Sequence, residues 1–224
     1  MTLLQIKQGL NKKIIQPIRM YNRRKKFIDK PVSIISINCI GGGISNDFGW
    51  EFLSPTINLF MYPDDFLTFC ENLEECIELP LVFKEIGFSG KEYPIGEICS
   101  SKGNIEIHFL HYNSFEEAKL KWNERCKRVD KNNILLLFSD QNGCNIEHIN
   151  RFDRLKYQKL FFTGNELFRD KYDYSVYVKP NKYEIENNIN PIDRSMIFVG
   201  LLGYRRYEKN FNAEKFFGKL IENR

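Results

Sequence analysis

The chain has 224 residues, of which 42 % are hydrophobic, and a formal net charge of +4. This length suits an α/β domain with a sizeable core, and the absence of repeats, low-complexity segments and long apolar runs argues against solenoid, coiled-coil and membrane-spanning proteins. No export signal is recognised at the start, and the six cysteines form no CxxC or Cys/His metal spacing. We therefore expect a cytoplasmic protein with reduced thiols and no bound metal.

Residues 1–30 are strongly basic. They hold nine Lys or Arg and one Asp, a net charge of +8, and the remaining chain therefore has a net charge of −4. Leu and Ile recur among these charges at roughly helical spacing, and Pro17 is expected to kink or split the helix. The segment is interpreted either as a helix packed on the protein or as a contact with anionic membrane. No nucleic acid partner is expected, because no aromatic-interleaved basic platform follows.

Strand and helix patterns alternate from residue 32 to about residue 165. We predict a single α/β domain over residues 31–224, preceded by the basic helical segment 1–30. Its fold class is a three-layer α/β/α arrangement with a mixed, partly parallel sheet. The predicted strands or extended runs are 32–38, 56–62, a hairpin over 94–112, 133–139, 157–163 and 174–180. The predicted helices are 64–77 with Asp64 as its cap, 114–129 with a Ser114/Glu117 capping box, 145–155 and 212–224.

One predicted helix carries a tryptophan among small and apolar side chains. In the helix that begins near Ser114, Phe115, Ala118 and Trp122 recur at helical spacing. We therefore predict that Trp122 faces the core.

The stretch "SIISINCIGGG" places Cys39 between the end of a buried strand and three glycines. One interpretation is a cysteine nucleophile beside a nest of backbone amides, in which Gly42 and Gly43 supply the oxyanion donors. A second is a cradle for a phosphate or a sugar nucleotide. A third is a tight turn with a buried thiol. The run lacks the spacing of a nucleotide fingerprint, and no cofactor is predicted.

A cysteine nucleophile needs a base, which is normally a histidine. The chain has three, and His111 is preferred because it follows a predicted strand and precedes a capped helix. Asp140, directly after the buried strand 133–139, is the predicted third group, with Asp47 as an alternative. On the helix that follows His111, Arg125 and Arg128 are candidates for clamping a phosphate or carboxylate.

These residues resemble a bacterial family called domain of unknown function 1919, over roughly residues 20–175. The resemblance is carried by Asn-Cys-x-Gly-Gly from Asn38, Ser-Pro-x-x-x-Leu from Ser54, Tyr-Pro-x-Gly, His-Tyr and Trp-x-x-Arg-x-x-Arg. It implies a role in exopolysaccharide or capsule biosynthesis, with Asn38 and Ser54 as ligand-binding residues. A distant similarity to a group of papain-like cysteine peptidases implies a Cys39–His111 pair with Arg125 and Arg128 nearby.

Two functions are expected from these patterns. The first is a Cys-His dependent transferase or hydrolase that acts on a glycan precursor, in the cytoplasm or at the inner membrane face. The second is a non-catalytic module of the same pathway that binds a sugar phosphate or sugar nucleotide.

Overall fold

In the computed structural model, residues 11–199 and 203–222 are described. A π-helical turn at Asn11–Ile15 precedes the first α-helix. The α-helices are α1 (Gln16–Phe27), α2 (Ile40–Phe48), α3 (Pro63–Glu71), α4 (Leu73–Cys76), α5 (Phe115–Cys126), α6 (Ile146–Arg154), α7 (Lys182–Glu186) and α8 (Ala213–Glu222). The strands are β1 (Ser33–Ser36), β2 (Val82–Phe88), β3 (Glu92–Ser100), β4 (Gly103–His108), β5 (Ile134–Ser139), β6 (Gln158–Thr163), β7 (Ser175–Tyr177), β8 (Phe198–Val199) and β9 (Tyr204–Arg205).

The predicted α/β class is confirmed, with two principal sheets. A parallel four-stranded sheet has the order β1-β5-β6-β7, and an antiparallel three-stranded sheet has the order β2-β3-β4. In the first sheet, Ser33 to Ser36 pair in parallel register with Ile134 to Leu137. The predicted hairpin therefore belongs to a sheet of its own, completed by β2, a strand that the sequence patterns did not indicate.

The described residues form two compact units. The first contains the chain up to Pro31, residues 43–50 and the chain from Phe162 onward. The second contains residues 32–42 and 51–161. Residues 11–30 of the basic segment thus share a unit with residues from the C-terminal third of the chain.

The second unit is built on β5, whose six residues are all buried. Phe138 on this strand stacks with Phe66 at 5.8 Å between ring centroids and with Phe152 at 5.0 Å. Trp122 on α5 is only 1 % exposed, and its ring meets Phe69 edge-on. The prediction that Trp122 faces the core is confirmed.

The first unit has an aromatic core beneath α1. Phe48 packs against Phe27, Trp50 and Phe217 with ring centroids 4.6–5.1 Å apart. The Trp50 indole N–H donates to the Phe27 carbonyl at 2.7 Å. Pro17 stands in the first turn of α1, and the π-helical turn lies just before it, so that the regular helix begins next to the proline.

Two local predictions about caps are corrected or refined. Asp64 is not a cap: α3 begins at Pro63 after Tyr62, and the Asp64 carboxylate instead accepts from Arg151 at 2.7 Å. Ser114 does cap α5, since its hydroxyl accepts the Glu117 N–H at 3.1 Å. The Glu117 carboxylate, however, accepts from the N–H of Asn113 rather than from that of Ser114.

Candidate functional site

The carboxyl ends of β1 and β5 carry polar side chains that are hydrogen-bonded to one another. The Asn38 side-chain amide donates to Gln141 Oε1 at 2.7 Å and to Ser139 Oγ at 3.2 Å. Ser139 in turn donates to Gln141 Oε1 at 3.0 Å. Ligands of α/β proteins usually bind outside this edge of the sheet. Asn38 therefore lies where a ligand-binding residue is expected.

The three glycines after Cys39 form no nest. Residues 41–43 lie inside α2, which begins at Ile40, directly after the cysteine. The predicted nest is therefore wrong at Gly42 and Gly43, because both residues have helical backbone, while their role as oxyanion donors stays a prediction. What the sequence places beside Cys39 is the start of a nine-residue helix, whose partial positive charge favours an anion.

Close packing against β1 explains the glycine at position 41. A Cβ atom on Gly41 would lie 2.6 Å from the Ser36 Cβ atom, closer than two such atoms can approach. The Gly41 N–H donates to Ser36 Oγ at 3.2 Å, and the Ile40 N–H donates to Asn38 Oδ1 at 3.0 Å. The glycine thus allows α2 to pack closely against the end of β1.

Cys39 lies half-buried at the start of α2. Its thiol donates to the Leu59 carbonyl at 3.7 Å. Burial raises the pKa of the Cys39 thiol to about 11, and a backbone hydrogen bond lowers it only in part. At pH 7 only about one molecule in ten thousand would carry the thiolate that a nucleophile requires.

No histidine is hydrogen-bonded to Cys39, and all three lie within the described residues. His111 occupies an exposed turn and forms no hydrogen bond or ion pair with the described part of the chain. His108 is buried and stacks on Phe60 at 4.4 Å; its Nε2 atom lies 2.9 Å from Glu106 without hydrogen-bond geometry. His148 accepts the Asn145 N–H at the start of α6.

The two carboxylates predicted as third groups lie elsewhere. Asp140 is half-buried near Cys144, whose pKa is raised to about 12 by burial and then by the Asp140 charge. Asp47 is buried in the first unit and pairs with Arg205. The structure therefore shows neither carboxylate hydrogen-bonded to His111, and the catalytic set Cys39, His111 and Asp140 stays a prediction without a shared contact.

Ser54 belongs to a buried hydrogen-bond network. Its hydroxyl lies 2.9 Å from Thr56 Oγ1 and accepts the Thr56 N–H at 3.2 Å. Thr56 Oγ1 in turn accepts the Ser36 N–H at 2.8 Å. Ser54 therefore holds the segment after α2 against β1, and this structural role accounts for it without a ligand.

Tyr112 is the residue that the sequence argument missed. Its hydroxyl donates to the Ile57 carbonyl at 2.9 Å and accepts from Arg125 Nη1 at 2.6 Å. Burial raises the Tyr112 pKa, Arg125 opposes this effect, and the Cys39 thiol adds to it. Tyr112 is thus close enough to Cys39 for the thiolate form of Cys39 to raise the Tyr112 pKa, whereas the sequence pattern pointed to the neighbouring His111.

The two arginines of α5 have different surroundings. Arg125 is half-buried, and its guanidinium lies 5.5 Å from the centroid of the Phe52 ring. Among the described residues it has no carboxylate partner. Arg128 is more exposed and pairs with Glu51 at 3.3 Å. Arg125 is therefore the better candidate for an anion clamp.

We expect Cys39 to be alkylated by iodoacetamide with a rate that climbs about tenfold per pH unit and levels off only near pH 11, because the thiolate is the reacting species. A short unstructured peptide with one cysteine, whose ordinary thiol pKa is about 8.5, is the reference. Peptide mapping after partial alkylation gives the rate for Cys39 alone. A plateau below pH 8 that disappears in a His111→Ala variant would instead establish the Cys39–His111 pair.

Most of the chain, and not only this site, is similar to known proteins. A family model described as domain of unknown function (DUF1919) matches residues 10–218. A protein of Haemophilus influenzae (strain ATCC 51907 / DSM 11121 / KW20 / Rd), named "Uncharacterized protein", is 32 % identical over 195 residues. This alignment covers 87 % of each chain.

Two absences hold for residues 11–199 and 203–222. No helix in these ranges has both the length and the apolar composition needed to cross a bilayer. Nor does any group of three or more His, Cys, Asp or Glu in the same ranges come together as a set of metal ligands.

Proposed function

This chain belongs to the DUF1919 family, and we propose that it binds a phosphorylated sugar at the edge where β1 and β5 end, as a cytoplasmic protein of cell-surface polysaccharide assembly. The pathway is the one that the sequence resemblance implies. The ligand class follows from the neutral hydrogen-bonding side chains of this edge, taken together with the guanidinium of Arg125.

Arg125 is the observation that carries the proposal. A half-buried guanidinium without a carboxylate partner among the described residues is electrostatically unsatisfied, and a phosphate would complete it. The Tyr112 hydroxyl and the Phe52 ring fix the guanidinium in position, so little side-chain freedom would be lost on binding. The start of α2 beside Cys39 adds a second favourable field for an anion.

The neutral groups of the edge suit the sugar part of such a ligand. The amide of Asn38 and the side chains of Ser139 and Gln141 offer both donors and acceptors, and they already hold one another in place. Hydroxyl groups of a sugar can exchange with these contacts without leaving a buried polar atom unpaired.

Thiol catalysis receives less support than binding. The predicted transferase or hydrolase requires a Cys39 thiolate, and burial holds this thiol in its neutral form at pH 7. It also requires a base beside the thiol, whereas the Cys39 thiol donates its hydrogen bond to a backbone carbonyl. The likeness to papain-like peptidases therefore remains a prediction from sequence.

Calorimetric titration with glucose 1-phosphate tests the proposal. We expect Arg125→Met to weaken binding at least about tenfold, because a hydrogen bond to a charged group contributes about 1.5–3 kcal/mol. Arg128→Met, one turn further along the chain, is the matched control and should bind like the unaltered protein. Tyr112→Phe should weaken binding less than Arg125→Met, since it loosens the guanidinium but keeps the charge.

Inorganic phosphate and glucose, the two halves of the probe, test the phosphate-binding and the sugar-binding parts of the site separately. Inorganic phosphate should bind more weakly than glucose 1-phosphate, and glucose should bind more weakly still. The proposal is wrong if none of the three gives a heat of binding, or if Arg125→Met and Arg128→Met weaken binding equally.

A further inference from the structure

Helix α1 and the turn before it carry an apolar stripe that the protein leaves in solvent. Ile14, Ile18, Tyr21 and Ile28 are between 49 % and 66 % exposed. Their spacing of three, four and seven residues puts Ile18 and Tyr21 on one side of α1, with Ile14 before the helix and Ile28 directly after it on the same side. We call these four residues the α1 stripe.

The opposite face of α1 is fixed within its own unit. Met20, Arg23 and Phe27 are buried. Arg23 pairs with the buried Glu208, and it also donates from Nε to Glu214 at 3.3 Å. The helix therefore cannot rotate to bury the α1 stripe without breaking a buried ion pair.

Exposed cations surround the stripe. Arg24 is exposed and donates to the Asn46 carbonyl at 2.8 Å, but the lysines between residues 13 and 30 form no ion pair with the described residues. The one acid between residues 11 and 31 is Asp29. The lysines with exposed side chains are Lys13, Lys25, Lys26 and Lys30.

We propose that the α1 stripe and its lysines dock the protein on the surface of an anionic phospholipid bilayer. The four apolar side chains enter the boundary between headgroups and acyl chains, while the lysines remain at the level of the lipid phosphates. Tyr21, the most exposed of the four, has the amphipathic ring that is enriched at this level of a bilayer.

The same observations disfavour other occupants of this face. A second copy of the chain would bring two sets of unpaired lysines together, and like charges repel. A nucleic acid would pair with the lysines but leave Ile14, Ile18 and Ile28 against water or phosphate. An anionic bilayer satisfies both the charge and the apolar surface.

Co-sedimentation of the full chain with vesicles tests the inference. Vesicles of phosphatidylglycerol and phosphatidylcholine should bind the protein at low salt, and vesicles of phosphatidylcholine alone should bind it much less. Lys25→Gln should weaken binding about fivefold, the fold-change expected for one lysine near an anionic surface. Ile18→Ser should also weaken it, and because Ile18 is exposed the variant should fold normally.

Matched controls lie in the second unit. Lys102→Gln removes an exposed lysine from the turn between β3 and β4, and Ile86→Ser removes an exposed isoleucine from β2. Both should bind vesicles like the unaltered protein. The inference fails if phosphatidylglycerol has no effect, if the α1 variants bind as well as the controls, or if sedimentation velocity without lipid shows a dimer that Ile18→Ser abolishes. None of these results depends on whether glucose 1-phosphate binds.

Discussion

Replacing Trp122 by alanine is expected to lower the free energy of unfolding by about 3–5 kcal/mol, the range for removing a large buried aromatic side chain. Trp122 is 1 % exposed and lies edge-on against Phe69 at 5.8 Å and Phe109 at 6.1 Å between ring centroids. Its loss would leave a cavity that these rigid rings cannot fill. Urea unfolding followed by circular dichroism measures the change.

Two variants calibrate this result. Leu120→Ala on the same helix removes a side chain that is 57 % exposed, and it should change stability by well under about 1 kcal/mol. Trp122→Phe keeps a ring and removes the indole N–H, which has no hydrogen-bond partner among the described residues. It should therefore cost less than Trp122→Ala. Equal stability of Trp122→Ala and Leu120→Ala would mean that Trp122 is not in the core.

Replacing Arg23 by methionine is expected to cost about 3 kcal/mol, because it leaves the buried Glu208 carboxylate without its closest charge partner. This is the lower end of the range of about 3–5 kcal/mol for breaking a buried ion pair. We expect a loss of stability at this lower end because Arg19 still lies 3.2 Å from the Glu208 carboxylate. The same substitution also removes the guanidinium that lies 4.8 Å from the Phe48 ring centroid.

A second substitution distinguishes charge from packing in this pair. Glu208→Gln in the Arg23→Met background removes the stranded charge but keeps an oxygen to accept the Arg205 N–H. The double variant should therefore recover part of the lost stability. Lys182→Met, which breaks an exposed pair with Glu186, should change stability by less than about 1 kcal/mol. An Arg23→Met variant no less stable than Lys182→Met would contradict the buried pair.

The elements that sequence could predict are those that local pattern determines. The buried run of β5, the hairpin of β3 and β4, and the Ser114 cap of α5 each depend on residues within a few positions of one another. The α/β class followed from their alternation.

Long-range pairing explains what the sequence could not predict. Arg23 and Glu208 are 185 positions apart, and no local pattern relates them. The glycines after Cys39 permit both a nest and a helix, and the helix can pack against the end of β1 because Gly41 approaches Ser36 closely. The role of Tyr112 depends on where Arg125 and Ile57 meet it in space.

A crystal structure with glucose 1-phosphate bound would test the proposed site most directly. We expect the phosphate to lie about 3 Å from a guanidinium nitrogen of Arg125, beside the start of α2, with the sugar toward Asn38 and Gln141. A phosphate bound at Arg128 instead, or an edge that holds no ligand when the crystals contain glucose 1-phosphate, would contradict the proposal.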